Sequence, residues 1–205
     1  LQVFVADHNA YPSMIGSTND GNWFWAMQIQ GEGFGHPKPI KEFLFSGVWR
    51  CPSAPKTIAW VPDLKERFCS YAYNALGGIQ AWSKATNNLG LDALPVNLPS
   101  VRAVGFPPVR EPGVAVPSDM MAIGDSIDGR VVLWRWLSEW AGGPSGSARR
   151  QYGRASDRHQ GSVNVLFCDG HVESPTVRFV FEDSSDAALA RWNRDHQPHR
   201  EFLLR

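Results

Sequence analysis

The sequence predicts an α+β fold: a leading helix, a long irregular middle region and a C-terminal antiparallel sheet. Three observations carry that expectation. Leu1, Phe4, Val5 and His8 recur at i, i+3, i+4, i+7, the spacing of one helix face. Pro95, Pro99, Pro107, Pro108, Pro112 and Pro117 exclude long helices and central strands from the middle of the chain. Asp169-Gly170 stands between two apolar runs, the strongest short-range signal of a hairpin.

In chain order, Leu1–Asn9 reads as the end of an amphipathic helix, stopped by Asn9 and Pro12. The chain opens on Leu instead of Met and already carries an apolar helix face. It is therefore expected to be processed or truncated, with this helix the lower half of a longer one. Gly21–Met27, GNWFWAM, reads as aromatic-rich turns, and Pro39–Phe45 as a short helix with Pro near its start. Ser70–Asn74 is expected to be a short strand, and residues 75–117 an extended excursion over the surface. Met120–Gly124 is an apolar strand running into Asp125-Ser126.

Arg130–Trp140 begins β-branched, yet Leu133, Trp136, Leu137 and Trp140 fit a helical stripe, so its type stays open. Gly142–Ser147 is a flexible loop. Val163–Cys168 and His171–Ser174 form the hairpin, and the alternation of Val177, Phe179 and Phe181 predicts a further strand. Ser184 or Ser185 caps a last short helix running through Trp192.

A two-residue turn at Asp169-Gly170 pairs Cys168 with His171 and Phe167 with Val172. Val163, Val165, Phe167 and Val172 then share the buried face, and Asn164, Leu166, Cys168, His171 and Glu173 the other.

Composition bounds the function. The 205 residues hold 20 Lys+Arg and 20 Asp+Glu, so no global field favours nucleic acid or an anionic membrane. No apolar run approaches the ~20 residues that span a bilayer, and no signal peptide is visible. Nine Trp, 15 Pro and 19 Gly describe a chain of turns and short elements with aromatic filling. The three cysteines, Cys51, Cys69 and Cys168, cannot all pair within one chain. A Cys51–Cys69 bridge would close a loop of 17 intervening residues and stabilise by roughly 3 kcal/mol. Two buried thiols are the alternative.

Three chemistries compete around the hairpin. Cys168 and His171, as cross-strand neighbours, could form a nucleophile pair, but no third orienting group accompanies them. A divalent metal could be held by His159, Asp169 and His171 together with Asp125, although the spacing matches no zinc motif. The reading the residues favour is simpler: Asp169-Gly170 makes the turn and His159 bonds backbone at the entry to the strand.

Elsewhere, His196 and His199 lie near Asp195 in a polar tail. Trp134, Trp136 and Trp140 could stack on a sugar or act as core. Gly31–Gly35 lacks the strand and helix of a phosphate loop. Arg149, Arg150, Arg154 and Arg158 make a basic stretch around Tyr152, either an anion- or partner-binding surface or a solvated loop.

His159, nine residues and then Asp169-Gly170 resembles the prepilin-associated H-X9-DG family of pseudopilin-like proteins. The block RHQGSVNVLFCDGHV at Arg158–Val172 carries the likeness, with Cys168 where a more ordinary residue is expected. PSDMMAIGDS at Pro117–Ser126, RCPSAP at Arg50–Pro55, SYAYN at Ser70–Asn74, RWNRDHQPH at Arg191–His199 and DHNAYPS at Asp7–Ser13 resemble further family blocks, in order along the chain. The departure is the N-terminus, which holds neither a prepilin cleavage site nor a hydrophobic helix half.

The resemblance implies a pilin-like fold, with residues 1–12 the end of the N-terminal helix and 13–205 a single globular domain. It implies a structural, non-catalytic role in a type II secretion or type IV pilus-like assembly. Other pseudopilin subunits and the secretion machinery would be its partners. A missing N-terminal helix would anchor the precursor in the inner membrane, with this domain in the periplasm or on a filament surface. The alternatives are an exported module binding glycan or another polymer through its Trp residues, and a metal-dependent enzyme using His159, Asp169 and His171.

Overall fold

The computed structural model describes residues 1–13, 15–18, 21–34, 47–54, 69–78, 89–92, 108–126 and 158–203. Within them the chain is α+β, built on a four-stranded sheet in which every neighbouring pair is antiparallel.

Helix α1 covers Gln2–His8 and ends where Asn9 turns left-handed (φ 51°), its N–H bonded to Val5 O. Asn tolerates that conformation better than most residues. Phe4 and Val5 are buried as expected, whereas His8 is exposed and rests its ring against Phe4. Strands β1 (Ile15–Thr18) and β2 (Gly21–Phe24) form a separate antiparallel pair, followed directly by helix α2 (Trp25–Phe34). The turns expected over Gly21–Met27 are thus a strand and a helix start. Tertiary contacts favour them: Trp25 stacks on Tyr73, and Gln28 exchanges two hydrogen bonds with the Ser13 backbone.

The main sheet runs in the order β3 (Tyr71–Tyr73), β4 (Met121–Asp125), β5 (Val165–Phe167), β6 (Val172–Glu173). A bulge between Met121 and Ile123 offsets β4 against β5. Both faces of the sheet are covered. Tyr73 and Ala122 join Val5, Trp25 and Ile29 in one core; Ala72, Met121, Val165 and Phe167 join Val177, Phe181 and Trp192 in the other. The strand alternation of a sheet buried on both sides produces this division.

Asn74, fully buried after β3, ties these layers together. Its Nδ2 donates to Met121 O and to Trp192 O, and its Oδ1 accepts from Gly77 N. Gly90 packs so closely on this turn that a Cβ would lie 2.4 Å from the Ala75 carbonyl carbon.

Two local expectations are corrected. Val177–Phe181 is a helix, α3, and not a strand. Thr176 caps it, its Oγ1 accepting from Phe179 N, and Val177, Val180 and Phe181 form the buried stripe. The alternation of Val177, Phe179 and Phe181 is equally present in that segment, but the cap and the stripe decide for the helix. The hairpin closes through three residues instead of two: Leu166 pairs with Val172 and Val165 with Glu173, while Phe167 N donates to His171 O. Gly170 at φ 96° supplies the positive-φ position of such a loop.

The one-residue change of register turns Val172 outward, 62% exposed, while Cys168 is buried. Cys168 and His171 are therefore not direct cross-strand partners.

Ser185 caps α4 (Asp186–Ala190), as the sequence suggests. The described parts of 75–117 contain no helix beyond a single 3-10 turn at Glu111–Gly113. Among the described residues no helix is long and apolar enough to cross a membrane. Pro39–Phe45, Arg130–Trp140 and Gly142–Ser147 lie outside the described residues, as do Arg149, Arg150, Tyr152 and Arg154. The glycan surface expected at Trp134, Trp136 and Trp140 lies there too.

Candidate functional site

Four of the sequence blocks singled out above converge at one end of the sheet. Strand β4 delivers Asp125 and Ser126 at its end, and β3 places Ser70 beside them, Ser126 N donating to Ser70 O. Ser70 Oγ accepts from Cys51 N at 2.9 Å, which draws the Arg50–Ala54 segment onto the sheet. From the other side comes the turn Arg158–Gly161, whose residues His159 and Gln160 are both left-handed, at φ 51° and 58°. Two consecutive non-glycine residues in that region cost about 1–2 kcal/mol each. The surrounding contacts hold them there.

Asp125 is the centre of this arrangement, with only 1% of its surface exposed. Its Oδ2 accepts from Asn164 N at 2.7 Å and lies 3.4 Å from His159 Nε2. Its Oδ1 is buried without a hydrogen bond; Arg158 Nη1 stands 4.0 Å away, at ion-pair range only. Arg158 itself is buried and donates through Nη2 to Ser126 O. The basic stretch expected over 149–158 thus ends in a core arginine. Cys51 Sγ approaches the same ring nitrogen, 3.5 Å from His159 Nε2.

Cys51, Asp125 and His159 are the one group among the described residues that brings three metal-ligating side chains together, their ligand atoms all within 4.8 Å of one another.

The metal set expected from the sequence is therefore split. Asp125 and His159 meet as proposed, but Asp169 and His171 sit in the hairpin loop, beyond the far end of β5 from Asn164. There they pair with each other: Asp169 Oδ1 accepts from His171 N at 3.1 Å and lies 2.6 Å from its Nδ1. The hydrogen bond to Asp169 holds the His171 imidazole above its ordinary pKa. His171 Nε2 reaches Glu173 at 3.4 Å, and Glu173 accepts from Arg191 Nη1 at 2.6 Å. This is an exposed ion-pair chain across the strand end. Asp169 and Gly170 lie in the turn, in a loop of three residues, while the His159 ring, expected to bond backbone at the strand entry, faces Asp125 and Cys51 instead.

No family model, no curated protein and no solved structure matches the chain.

The Cys168–His171 nucleophile pair does not form. Cys168 faces the core beside Tyr11, and burial pushes its thiol up to about 12, so no thiolate is available at neutral pH. Cys51 and Cys69, the two residues of the disulfide the sequence offered, are both buried, and Cys51 is turned toward His159. In the tail, His199 bridges Asp195 and Glu201 at 2.6 and 2.8 Å, while His196 faces Asp119 at 3.7 Å, so the two histidines do not share a ligand set. Gly31 and its neighbours through Phe34 lie within α2, not in a phosphate loop.

Sequence reasoning missed Cys51 as the partner of His159 and Arg158 as a buried cation. The available signal was a Cys-Pro turn and an Asp-Ser pair closing an apolar strand, each a block of few residues far apart in the chain.

Proposed function

We propose that this chain is the globular domain of a pseudopilin-like structural component of a type II secretion or type IV pilus-like assembly, without catalysis of its own. The observation that supports the reading is the convergence of the family-like blocks. Residues from RCPSAP, SYAYN, IGDS and RHQGSVN meet around Asp125 through the Cys51–Ser70, Ser126–Ser70, Arg158–Ser126 and Asn164–Asp125 hydrogen bonds. Blocks that resemble a family because each secures the same knot of the fold are expected to be retained together, whatever the chain's partners.

The leading helix is consistent with that role. Val5 packs in the same core as Tyr73 and Ala122 of the sheet, and Gln2 donates to Cys168 O at the hairpin, so the start of the helix is held against the sheet and an upstream extension would continue from there. Such an extension would anchor the precursor in the inner membrane and place this domain on the periplasmic side or on a filament surface. Other pseudopilin subunits are its expected partners.

The test is on the full precursor in its native host. The expected result is an upstream apolar segment of pilin type, membrane fractionation of the precursor, and a mobility shift that disappears when the prepilin peptidase is deleted. A full-length gene product without that segment, unaffected by the deletion, would exclude the reading.

A further inference from the structure

We infer that Cys51, Asp125 and His159 form a binding site for a zinc-class divalent cation. Distances provide the first argument. Tetrahedral zinc with bonds of about 2.3 Å to sulfur and 2.0–2.2 Å to nitrogen or oxygen sets ligand atoms about 3.5 Å (S to N) and about 3.4 Å (N to O) apart. The observed separations are 3.5 Å from Cys51 Sγ to His159 Nε2 and 3.4 Å from His159 Nε2 to Asp125 Oδ2. The second is long for an N–H···O bond, which centres near 2.9–3.0 Å. One nitrogen facing two ligand atoms at these distances fits a shared ion better than a pair of hydrogen bonds.

The carboxylate provides an independent argument. Asp125 is 1% exposed, and its Oδ1 has no hydrogen-bond partner. A buried carboxylate oxygen left unsatisfied is costly. A cation at the focus of the three side chains would contact Oδ2, the oxygen that faces His159, and so neutralise the charge of the buried carboxylate, whose Oδ1 faces Arg158 Nη1 at 4.0 Å.

The donor set selects the ion. A thiolate with an imidazole and a carboxylate suits zinc, whereas magnesium and calcium take all-oxygen shells. Binding forms the Sγ–metal bond and releases the Cys51 thiol proton to solvent. His159, whose side chain is 28% exposed, leaves a solvent-facing fourth position for water. The ion would staple three distant segments, Arg50–Ala54, β4 and Arg158–Gly161. It accounts for why a histidine stands at position 159, and it does not depend on the pilin reading.

The test uses the whole chain, reduced, stripped of metal and titrated with Co(II) as the spectroscopic surrogate, then with Zn(II) in competition. One equivalent of Co(II) should give a thiolate-to-cobalt charge-transfer band and be displaced by Zn(II), and Zn(II) but not Mg(II) should raise Tm. Cys51→Ser should abolish the band. His159→Gln should weaken binding by more than the roughly 10–100-fold that loss of even an outer partner costs. Cys69→Ser and Cys168→Ser should leave both unchanged, with far-UV circular dichroism showing every variant folded. The wild-type titration stands alone if a variant fails to fold. Absence of a charge-transfer band in the wild-type chain would overturn the site, as would a band that survives Cys51→Ser.

Discussion

Phe167 and His171 face one another across the hairpin with ring centroids 4.4 Å apart and planes within 5° of parallel. Stacked rings, and the bond from Phe167 N to His171 O, set the register that closes the loop in three residues. Arg191 lies over the same Phe167 ring at 5.2 Å and pairs with Glu173 and Asp119. His171 at the hairpin tip is thus held by stacking on the buried Phe167 ring and by charged contacts.

Asp169 raises the pKa of His171, and the sign of the consequence follows. The charged imidazole stabilises the loop fully below the ordinary value of 6.5, and that contribution is lost as pH rises through the higher folded value. Asp169→Asn should lower the His171 pKa in an NMR titration and flatten the alkaline side of the stability profile. An unchanged His171 titration would mean that the pair does not form in solution. The effect on stability should be small, since both groups are solvent-exposed.

Gly170 holds φ 96°, and a Cβ there would meet Gln2 Cγ at 2.8 Å. Gly170→Ala should cost about 1–2 kcal/mol from backbone conformation alone. A urea titration should show a lower midpoint with an unchanged slope. Gln2→Ala combined with it should relieve the contact but not the backbone term.

Asn74 makes three buried hydrogen bonds to three separate segments. Asn74→Ala would strand the Met121 and Trp192 carbonyls and the Gly77 N–H, and should destabilise by about 3 kcal/mol or more. Asn74→Asp retains an acceptor for Gly77 but loses both donors, so it should rescue little. Differential scanning calorimetry of both variants measures this.

Thr176 decides the type of the segment that follows it. Thr176→Ala should cost about 1 kcal/mol, and Thr176→Ser should be nearly neutral, because either hydroxyl can accept from Phe179 N. Hydrogen exchange at Phe179 and Val180 should accelerate in the alanine variant only. Equal protection in both would remove the cap as the cause of α3.

Much of the fold was legible in short windows. The helical spacing of Phe4 and Val5 with the Asn9 stop, the strand at Met121–Asp125, the strand at Tyr71–Tyr73 and the Ser185 cap all appear where local pattern places them. Gly21–Met27 departs from the turns expected of it because tertiary contacts favour its strand and helix; the other failures arose where one segment satisfies two patterns. Val177–Phe181 alternates and also carries a 177, 180, 181 stripe, and Cys168-Asp169-Gly170 suits either a two- or a three-residue loop. Of the site, the sequence suggests Asp125 and His159 in one candidate ligand set, whereas it offers Cys51 a disulfide with Cys69.

By itself the sequence determined the α+β class, the leading helix, the strands around Tyr71–Tyr73 and Met121–Asp125, and the special backbone positions at Asn9 and Gly170. Periodicity, caps and turn residues act over a few positions and need no distant neighbour. Only the tertiary structure decided the hairpin register, the coverage of both sheet faces, and which titratable side chains meet. Those depend on packing between segments as far apart as Cys51 and His159, where a one-residue shift of a strand changes which atoms lie within bonding distance. His159, unexplained as a letter in a motif, becomes intelligible between Cys51 and Asp125.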